Sequence, residues 1–600
     1  MKAFLAVSVN PGTTVPAVPA RVVAQLSEAT VHRTDDGWVA FGQAQQDDRI
    51  EAGSRFTVRL ARAVRSRTAD VPAATFGRLL GDGEGFDGTA LAGLLPPFAA
   101  AHRDGPRAPT VVATDWLGFR HVYWWQGDGV AAVSTSALAL AALAGAGLDR
   151  AALGLQSLNG WQVGTSTIFE GIHKLDAASL ALLREGRVTV RRYAPLPASP
   201  DGAGPPLAEV VEEMAGIQRE LHEAYLGDHP ETVLQLSAGQ DSRVLLCAVP
   251  PSMRKGLRAL TLDAHGGVES TLAARLAASC GLDHQVHWLD EQPAPDPATA
   301  HGLALAAAAD LDCMASPMAL APLLAAESTL DQGHRLAGAA GETARGFYYP
   351  GQPRHATTGP RLVHRLADWR LFTNEAVDRD ALDPDFSAAA RSAAVEMVTQ
   401  TFSGYARDWL RATDEFYLFQ RVHRWAGSHG SAAGVARFTV NPLLDRDFMR
   451  LALTPPPADK RHAYLMSRLI CRLDPSLAAV PFDSGLVAAR LARRGIGTTL
   501  TVATMTARKA VHKVHQRVGR VRRPQLGAAE MARLVVAHWR QVPDLVAPLR
   551  RTGLVREAWL DELLDGRRTT ESATVAFLVN LLVVDDVVSG AAQPAGSLSG

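Results

Sequence analysis

A chain of 600 residues is longer than one hydrophobic core normally supports, which predicts two or more domains. Its 61 Lys and Arg balance its 61 Asp and Glu, so global charge gives no argument for nucleic acid or an anionic membrane as the main partner. Four scattered cysteines without a CxxC pair suit a reducing cytoplasm and argue against a disulfide framework or a structural zinc site.

The N-terminal part of the chain is predicted to be rich in β-strands. Short apolar segments separated by turn residues are typical of strands, and they cover residues 111–119, 121–126, 129–136 and 187–193. Residues 129–148 carry no charge over 20 positions. Because Ala, Gly, Ser and Thr insert poorly into lipid, a buried strand followed by a helix is expected there rather than a membrane span. The start, MKAFLAVSVNPG, makes a poor signal peptide, so a cytoplasmic location is expected.

A linker rich in proline and glycine, APLPASPDGAGPP at 194–206, ends this part of the chain. Apolar residues then recur at helical spacing from Leu207 to Ala224, which predicts an amphipathic helix. Strands are expected at 233–236, 257–264 and 284–289, with helices from about Ser242 and over 269–281. This alternation predicts an α/β fold with a doubly wound parallel sheet, followed beyond about residue 355 by a helical extension.

One segment of the helical extension is strongly basic. Residues 484–529 contain ten Lys and Arg and no acid. Two interpretations stay open, a solvated helical face and a docking surface for an acidic peptide or partner protein. No recognised nucleic-acid fold supports a nucleic-acid partner.

The loop after the first of these strands carries the chemistry, in the stretch Ser237-Ala238-Gly239-Gln240-Asp241-Ser242. Ligands of open α/β sheets bind at the carboxyl ends of strands, and small residues there let the backbone approach a ligand closely. The N–H groups of the following helix and two serine hydroxyls favour an anion such as phosphate. Asp241 fits beside phosphate if it holds Mg²⁺, which bridges phosphate oxygens.

This hexapeptide resembles the SGGxDS loop of ATP pyrophosphatases, with Ala238 in place of the first glycine. The order of the motifs is similar to the asparagine synthetase superfamily over nearly the full length. The later stretch LAGAAGETARGF at 336–347 resembles the family's LSGEGADELFGG, and RFTVNPLLDRDFM at 437–449 resembles RVPFLDxxLV. The resemblance implies ATP and Mg²⁺ as cofactors.

Site residues follow from this resemblance, position by position. It implies metal binding and a catalytic role for Asp241 and Glu342. For Arg345, a catalytic contact with the activated carboxylate or the nucleotide and a structural ion pair both stay open. The resemblance also implies that nine residues contact the nucleotide, namely Leu236, Ser237, Gly239, Gln240, Asp241, Ser242, Leu262, Ala337 and Gly338. Glu269 matches the acid that opens the next helix in the family.

The upstream half resembles the family's glutaminase-like domain, which has the Ntn-hydrolase fold. DWLGFRHVYWW at 115–125 is similar to DxxGxRPLYY, and IFEGIHKL at 168–175 is similar to PFxGIxxL. Glutamine-dependent members expose a cysteine at position 2, where this sequence has Lys2, and lysine cannot replace that nucleophile. We therefore expect a degenerate glutaminase-like domain over 1–200 and a synthetase-like domain with its PP-loop over 207–600.

Among relatives that take the attacking nitrogen from the substrate itself, the sequence is most similar to lasso peptide cyclases. This implies an AMP-forming ligase that adenylates a side-chain Asp or Glu carboxylate of a leader-free precursor peptide and closes a macrolactam with the peptide's N-terminal amine. The precursor peptide is then the partner, together with a leader peptidase and a leader-recognition protein. Two alternatives stay open: a small-molecule synthetase that uses ammonia or makes a β-lactam, and a catalytically inactive scaffold of a peptide-maturation complex.

Several further residues have both a functional and a structural interpretation. Tyr348 and Tyr349 would line an acceptor pocket or belong to the core, and His423 would act as a base or be structural. The family's lysine in RxKxGF corresponds here to PFDSGL at 481–486, which places Asp483 near the lysine position. Lys460 and Arg446 are the cations considered as substitutes.

Overall fold

The protein is described here by a computed structural model. It describes residues 4–13, 30–42, 49–52, 55–60, 64–83, 85–202, 204–265, 269–291, 293–330, 332–494 and 527–590.

The described N-terminal strands are β1 Phe4–Val9, β2 Thr30–Thr34, β3 Gly37–Phe41, β4 Arg49–Ala52, β5 Arg55–Arg59, β6 Val64–Arg65, β7 Asp70–Val71, β8 Ala99–Arg103, β9 Thr110–Thr114, β10 Tyr123–Gln126, β11 Val130–Ser134, β12 Ile172–Lys174, β13 Ser179–Arg184 and β14 Arg187–Arg192. They build two six-stranded antiparallel sheets, ordered β12-β10-β11-β1-β3-β2 and β14-β13-β9-β8-β5-β4, and a short β6–β7 pair.

The two sheets face each other, and helices cover their outer faces. Successive side chains of a strand point to opposite faces, so β1 contributes to two cores. Phe4 and Ala6 pack with Val58 of the second sheet in the core between the sheets. Leu5 packs on the other side with Leu138 and other helical residues. Both faces of β1 are therefore buried, which explains its nearly continuous apolar sequence.

The later strands are β15 Val233–Gln235, β16 Arg258–Asp263, β17 Asp283–Trp288, β18 Arg335–Leu336 and β19 Thr439–Val440. They form one five-stranded parallel sheet in the order β17-β16-β15-β18-β19. The chain runs outward from β15 to β17 and then returns to the opposite side of β15 for β18. Strand order therefore reverses between β15 and β18, and in such sheets this reversal opens a crevice at the carboxyl edge.

The described α-helices surround these sheets. They are α1 Ala73–Leu80, α2 Gly88–Ala92, α3 Ala137–Ala144, α4 Arg150–Asn159, α5 Leu207–Asp228, α6 Gln240–Ala248, α7 Pro251–Arg254, α8 Glu269–Cys280, α9 Pro297–Asp310, α10 Pro317–Ser328, α11 Pro360–Leu366, α12 Pro384–Phe402, α13 Trp409–Phe416, α14 Gly427–Ala436, α15 Arg446–Leu453, α16 Pro457–Lys460, α17 Tyr464–Leu473, α18 Ala488–Leu491, α19 Ala528–Gln541, α20 Ala547–Arg551, α21 Glu557–Leu564 and α22 Ser572–Gly590.

Shorter helices of other types connect them. The 3₁₀-helices are Gly341–Arg345, Arg379–Ala381, Pro442–Leu444, Arg461–Ala463, Leu477–Ala479 and Pro543–Val546, and the π-helices are Ala367–Leu371 and Tyr417–Ala426.

The predicted α/β class is confirmed, with antiparallel sheets in the N-terminal part and a parallel sheet after the linker. The described linker residues, 194–202 and 204–206, form no helix or strand. The uncharged stretch from 129 forms β11 and then α3, as expected. Within the described ranges, no helix is both long and apolar enough to cross a membrane. Most of the basic segment at 484–529, including 508–523, lies outside the described residues.

The parts before and after the linker pack closely together. The indole Nε1 of Trp116 donates to the carbonyl of Leu444 at 3.0 Å, and both residues are fully buried. One hydrophobic cluster contains Leu180 of β13 together with Leu245 of α6. The two parts thus share continuous cores, and the position of the parallel sheet is fixed relative to the N-terminal sheets.

Candidate functional site

The loop that follows β15 is held in shape by its two serines. Ser242 Oγ donates to the carbonyl of Ser237 at 3.0 Å and accepts from the Ser237 N–H at 3.1 Å. The N–H of Gly239 donates to Ser237 Oγ at 3.1 Å. These bonds close a compact turn and begin α6 at Gln240, so that Asp241 lies in the first turn of the helix. Both hydroxyls therefore preorganise the loop.

A second loop follows the neighbouring strand β18. Ala340 has φ of +69°, a left-handed conformation that is strained for a residue with a Cβ. It starts the 3₁₀-helix Gly341–Arg345, and Gly346, with φ of +64°, ends it. The tight turn directs Glu342 and Arg345 back toward the first loop.

Glycines allow the two loops to touch. A Cβ at Gly338 would lie 3.0 Å from the Asp241 Cβ, and a Cβ at Gly341 would overlap the Asp241 carboxylate. Because β15 and β18 are parallel neighbours, their carboxyl ends bring the loops to the same edge of the sheet. The structure thus places Asp241 and Glu342 together, although they are far apart in the sequence.

The two carboxylates share the guanidinium of Arg345. Its Nη2 donates to Asp241 Oδ1 and Oδ2 at 3.0 and 3.1 Å and lies 2.9 Å from Glu342 Oε1. The Asp241 side chain is only 14 % exposed and that of Glu342 is 29 % exposed. The site thus contains two converging acids and one counterion, partly shielded from water.

Burial raises the pKa of Asp241 to about 7, with Arg345 opposing that rise and Glu342 adding to it. For Arg345, burial lowers the pKa, but the two carboxylates more than offset this and raise it overall. Asp241 therefore exchanges its proton near neutral pH. A further cation beside it would favour the charged carboxylate.

Tyr417 is a site residue that sequence analysis missed. Its hydroxyl donates to Glu342 Oε2 at 2.8 Å. Burial, together with the nearby Glu342, raises the pKa of Tyr417 well above its usual value, so the phenol stays a donor. Tyr417 thereby fixes Oε2 of Glu342, while Oε1 of the same carboxylate faces Arg345.

The donor set fits a hard divalent cation bound together with phosphate. Mg²⁺ binds through one or two carboxylates and takes its other ligands from water and phosphate oxygens, and Asp241 and Glu342 supply two. In the same two loops, Gln240 Oε1 and Thr343 Oγ1 are buried without hydrogen-bond partners.

The remaining residues proposed to contact nucleotide line the same edge or lie behind it. Leu236 is buried, and its carbonyl accepts from Thr261 at 2.7 Å. Ala337 donates its N–H to Val440 at 2.9 Å, which extends the sheet to the start of the second loop. Leu262, near the end of β16, packs partly against Leu260 and its neighbours.

Glu269 opens α8 as expected. Burial raises its pKa, with smaller contributions from Asp263 and Asp483. Asp483, which was compared above with the lysine of the resembled motif, is therefore near enough to Glu269 to interact with it. Asp483 is thus an acid in an acidic neighbourhood, whereas the resemblance implies a cation there.

Arg243, the first bulky residue after the loop, turns away from the site. Its guanidinium donates to the carbonyls of Leu477, Val480 and Pro481 at 2.9–3.1 Å. It thus anchors the segment that leads directly to Asp483.

Tyr348 and Tyr349 belong to the core, with 2 % and 3 % exposure, and do not line an open pocket. Tyr349 Oη donates to Asp414 Oδ2 at 2.6 Å, and Lys460 Nζ donates to the same oxygen at 2.8 Å. Lys460 is fully buried in this pair. It is therefore not available as a free cation for the site.

His423 and Arg446 face other parts of the molecule. His423 contacts Lys174 of β12, and burial lowers the pKa of both side chains well below their usual values. Arg446 donates to the carbonyl of Pro195 in the linker at 2.8 Å. The structural interpretation of His423 is favoured, and Arg446 is bound to the linker and does not supply the cation that the resemblance implies.

In comparisons with known proteins, no family model matches the chain, and no curated protein is significantly similar to it.

Proposed function

We propose that this protein is an ATP-dependent, AMP-forming amide ligase that cyclises a peptide. One observation carries the proposal. Asp241 and Glu342 lie just after the loops that follow two adjacent parallel strands, β15 and β18, where the strand order reverses. Both carboxylates contact Arg345. Crevices at this point of an open α/β sheet are where nucleotides bind.

The chain's own residues would divide the work between binding and orientation. The N–H groups at the start of α6 would bind phosphate oxygens, and the internal hydrogen bonds of the loop from Ser237 to Ser242 would hold that helix start in place. Asp241 and Glu342 would hold magnesium, which supplies charge neutralisation on the phosphates when bound. Arg345, which lies beside both carboxylates, would add positive charge where negative charge develops on the phosphates.

The proposed reaction consists of two successive displacements. A substrate carboxylate oxygen attacks the α-phosphorus of ATP, the bond to the β-phosphate oxygen breaks, and pyrophosphate leaves. An amine nitrogen of the same peptide then attacks the acyl carbon, AMP leaves with the bonding electrons, and the amine proton passes to solvent. Holding both ends of one peptide in the site supplies the proximity that a bimolecular reaction lacks.

In this proposal, the N-terminal part of the chain has a supporting role. Its two facing antiparallel sheets with helices outside are consistent with the Ntn-like domain implied by the resemblance. Near the interface, His423 and Lys174 are buried against each other. We infer a domain that supports the synthetase part. The precursor peptide would supply the nitrogen, with a leader peptidase and a leader-recognition protein as partners in the cytoplasm.

Magnesium-dependent ATP binding tests the site without knowledge of the peptide. Calorimetry of the full chain should show binding of Mg·ATP that is weakened at least tenfold by Asp241→Asn and by Glu342→Gln. Asp290→Asn is the matched control, because Asp290 is a surface acid that contacts His265 near the end of β17. Equal binding by all three variants would refute the proposed site.

Turnover tests the reaction class. With a candidate precursor peptide, wild type should release AMP and pyrophosphate and yield a peptide lighter by one water. Release of ADP and phosphate would contradict the AMP-forming mechanism. Peptide binding without any nucleotide consumption would favour the scaffold.

A further inference from the structure

Three side chains of types that can ligate a metal meet at the amino edge of the parallel sheet. His229 follows α5, Glu231 precedes β15 and His334 precedes β18. Their ligand atoms all lie within 4.8 Å of one another, and no second group of three such residues was found in the part of the chain that the structure describes. At about 3.3 Å per residue, the chain from Glu231 to Ser237 spans roughly 20 Å. The cluster is therefore separate from the site of Asp241.

The pairing of β15 with β18 fixes this cluster. The N–H of Val233 donates to the carbonyl of His334 at 2.8 Å. A Cβ at Gly333 would lie 2.6 Å from the Glu231 carbonyl oxygen, so glycine is needed for this close approach. The two strand starts thus hold Glu231 and His334 side by side.

The orientation of His229 is set by an acid from the N-terminal part. Its Nε2 lies 2.7 Å from Asp70 Oδ2, and Arg65, which is almost fully buried, holds the other oxygen of Asp70 at 2.6 Å. When Nε2 donates this proton, Nδ1 of the neutral imidazole carries a lone pair. Histidines that bind metals commonly donate their second nitrogen to a carboxylate in this way.

The distance between His229 and Glu231 matches that between two ligands of one metal ion. His229 Nδ1 lies 3.5 Å from Glu231 Oε1, which is longer than an ordinary hydrogen bond. Tetrahedral zinc with bonds of about 2.0–2.1 Å separates its ligands by about 3.4 Å. The ring centre of His334 lies 5.8 Å from that of His229.

We propose that His229, Glu231 and His334 bind one zinc ion. Two imidazoles and one carboxylate favour zinc over magnesium or calcium, which prefer oxygen ligands alone. Glu231 is 49 % exposed, so the fourth coordination position of the zinc ion would face solvent and bind a water molecule. Through Asp70, this ion would link the N-terminal part of the chain to the parallel sheet.

Zinc titration of the full chain at pH 7.5, after removal of metals with a chelator, tests this proposal. Wild type should bind one zinc per chain and show a higher melting temperature with zinc. His334→Ala should weaken zinc binding at least 100-fold, and Asp70→Asn should weaken it roughly 10–100-fold. Glu231→Gln, at an exposed position, is the variant least prone to misfold and should also weaken zinc binding at least tenfold.

The matched control is His265→Ala, because His265 also bridges two surface carboxylates, Asp290 and Glu291. It should bind zinc as wild type does. The proposal would be overturned if His334→Ala and Glu231→Gln bound zinc with wild-type affinity. It would also be overturned if His265→Ala lost as much zinc affinity as those variants, or if wild type bound no zinc. Mg·ATP binding should be unchanged in Glu231→Gln, which separates this site from the proposed ligase site.

Discussion

At the scale of single residues, the carboxyl of Asp241 gives the proposed site a pH dependence. Its pKa is raised to about 7, because it is buried beside Glu342. A proton on Asp241 competes with a divalent cation, so the affinity for Mg·ATP should rise about tenfold per pH unit below 7 and level off above it. Calorimetry between pH 5.5 and 8.5 measures this profile.

The control for this profile is Asp290→Asn, which should keep the wild-type dependence on pH. A flat profile in wild type would show that Asp241 does not take part in binding. A fall in affinity as the pH rises from 5.5 to 7 would contradict the direction of the pKa shift.

Gly341 gives a steric test of the contact between the two loops. Alanine at this position would overlap the Asp241 carboxylate, while Gly341 itself has no left-handed backbone that alanine would strain. Gly341→Ala should therefore weaken Mg·ATP binding at least tenfold by displacing Asp241. Nucleotide titration of the folded variant measures this effect.

Gly216→Ala is the matched control, because a Cβ there meets nothing within 4 Å on helix α5. It should stabilise the protein by about 1 kcal/mol through helix propensity and leave nucleotide binding unchanged. Wild-type affinity in Gly341→Ala would show that Asp241 tolerates displacement.

At the scale of elements, a buried acid, Asp312, caps the start of α3. Asp312 lies in the connection between α9 and α10. Asp312 Oδ1 accepts from Ser136 Oγ at 2.7 Å and from the N–H of Leu138 at 3.1 Å. Burial raises the pKa of Asp312 to about 7, although these hydrogen bonds oppose the rise. Asp312 therefore caps the helix while it keeps its proton up to nearly neutral pH.

This acid should make the protein less stable as pH rises. The folded-state pKa lies above the unfolded value of 3.8, so the folded state binds more protons between the two values. The free energy of unfolding should fall by about 1.4 kcal/mol per pH unit across that window from this group. Denaturant unfolding measures the free energy of unfolding at pH 5 and at pH 6.5. The difference between the two values should be smaller in Asp312→Asn than in wild type. An equal difference in both proteins would show that other groups cause the pH dependence.

Much of the element order is readable from the sequence, because apolar periodicity reports local burial. Strands β15, β16 and β17 and helix α8 lie within one or two residues of the predicted ranges. The approach of Asp241 and Glu342 was expected only through the resemblance and the parallel sheet. Side-chain direction was harder to foresee than element type.

Tyr417 and His423 illustrate this limit. Both lie on the segment Tyr417–Ala426, which winds as a π-helix between α13 and α14. The wider turn changes which side chains face the site, so Tyr417 reaches Glu342 and His423 faces Lys174. The cluster of His229 and His334 was also missed, because its members become neighbours only through the pairing of β15 with β18.

At the scale of the whole molecule, the shared cores predict that the parts on either side of the linker stay together. Asp201 and Gly202 are exposed, so a protease site introduced between them should be cut without loss of structure. The two fragments should then elute together in size-exclusion chromatography, because Trp116 and Lys174 are buried against the other part. Separate elution would show that the shared cores contribute little to the association.

Helix α22 packs against α3 and α9, and its Leu578 and Val579 share a core with Leu138. During synthesis, that face of α3 has left the ribosome long before α22 exists. At about 5–20 residues per second, translation from α3 to α22 takes roughly 20–90 s. For that time a nascent chain displays an unpartnered apolar surface, so its yield in cells should depend strongly on chaperones that shield such surfaces.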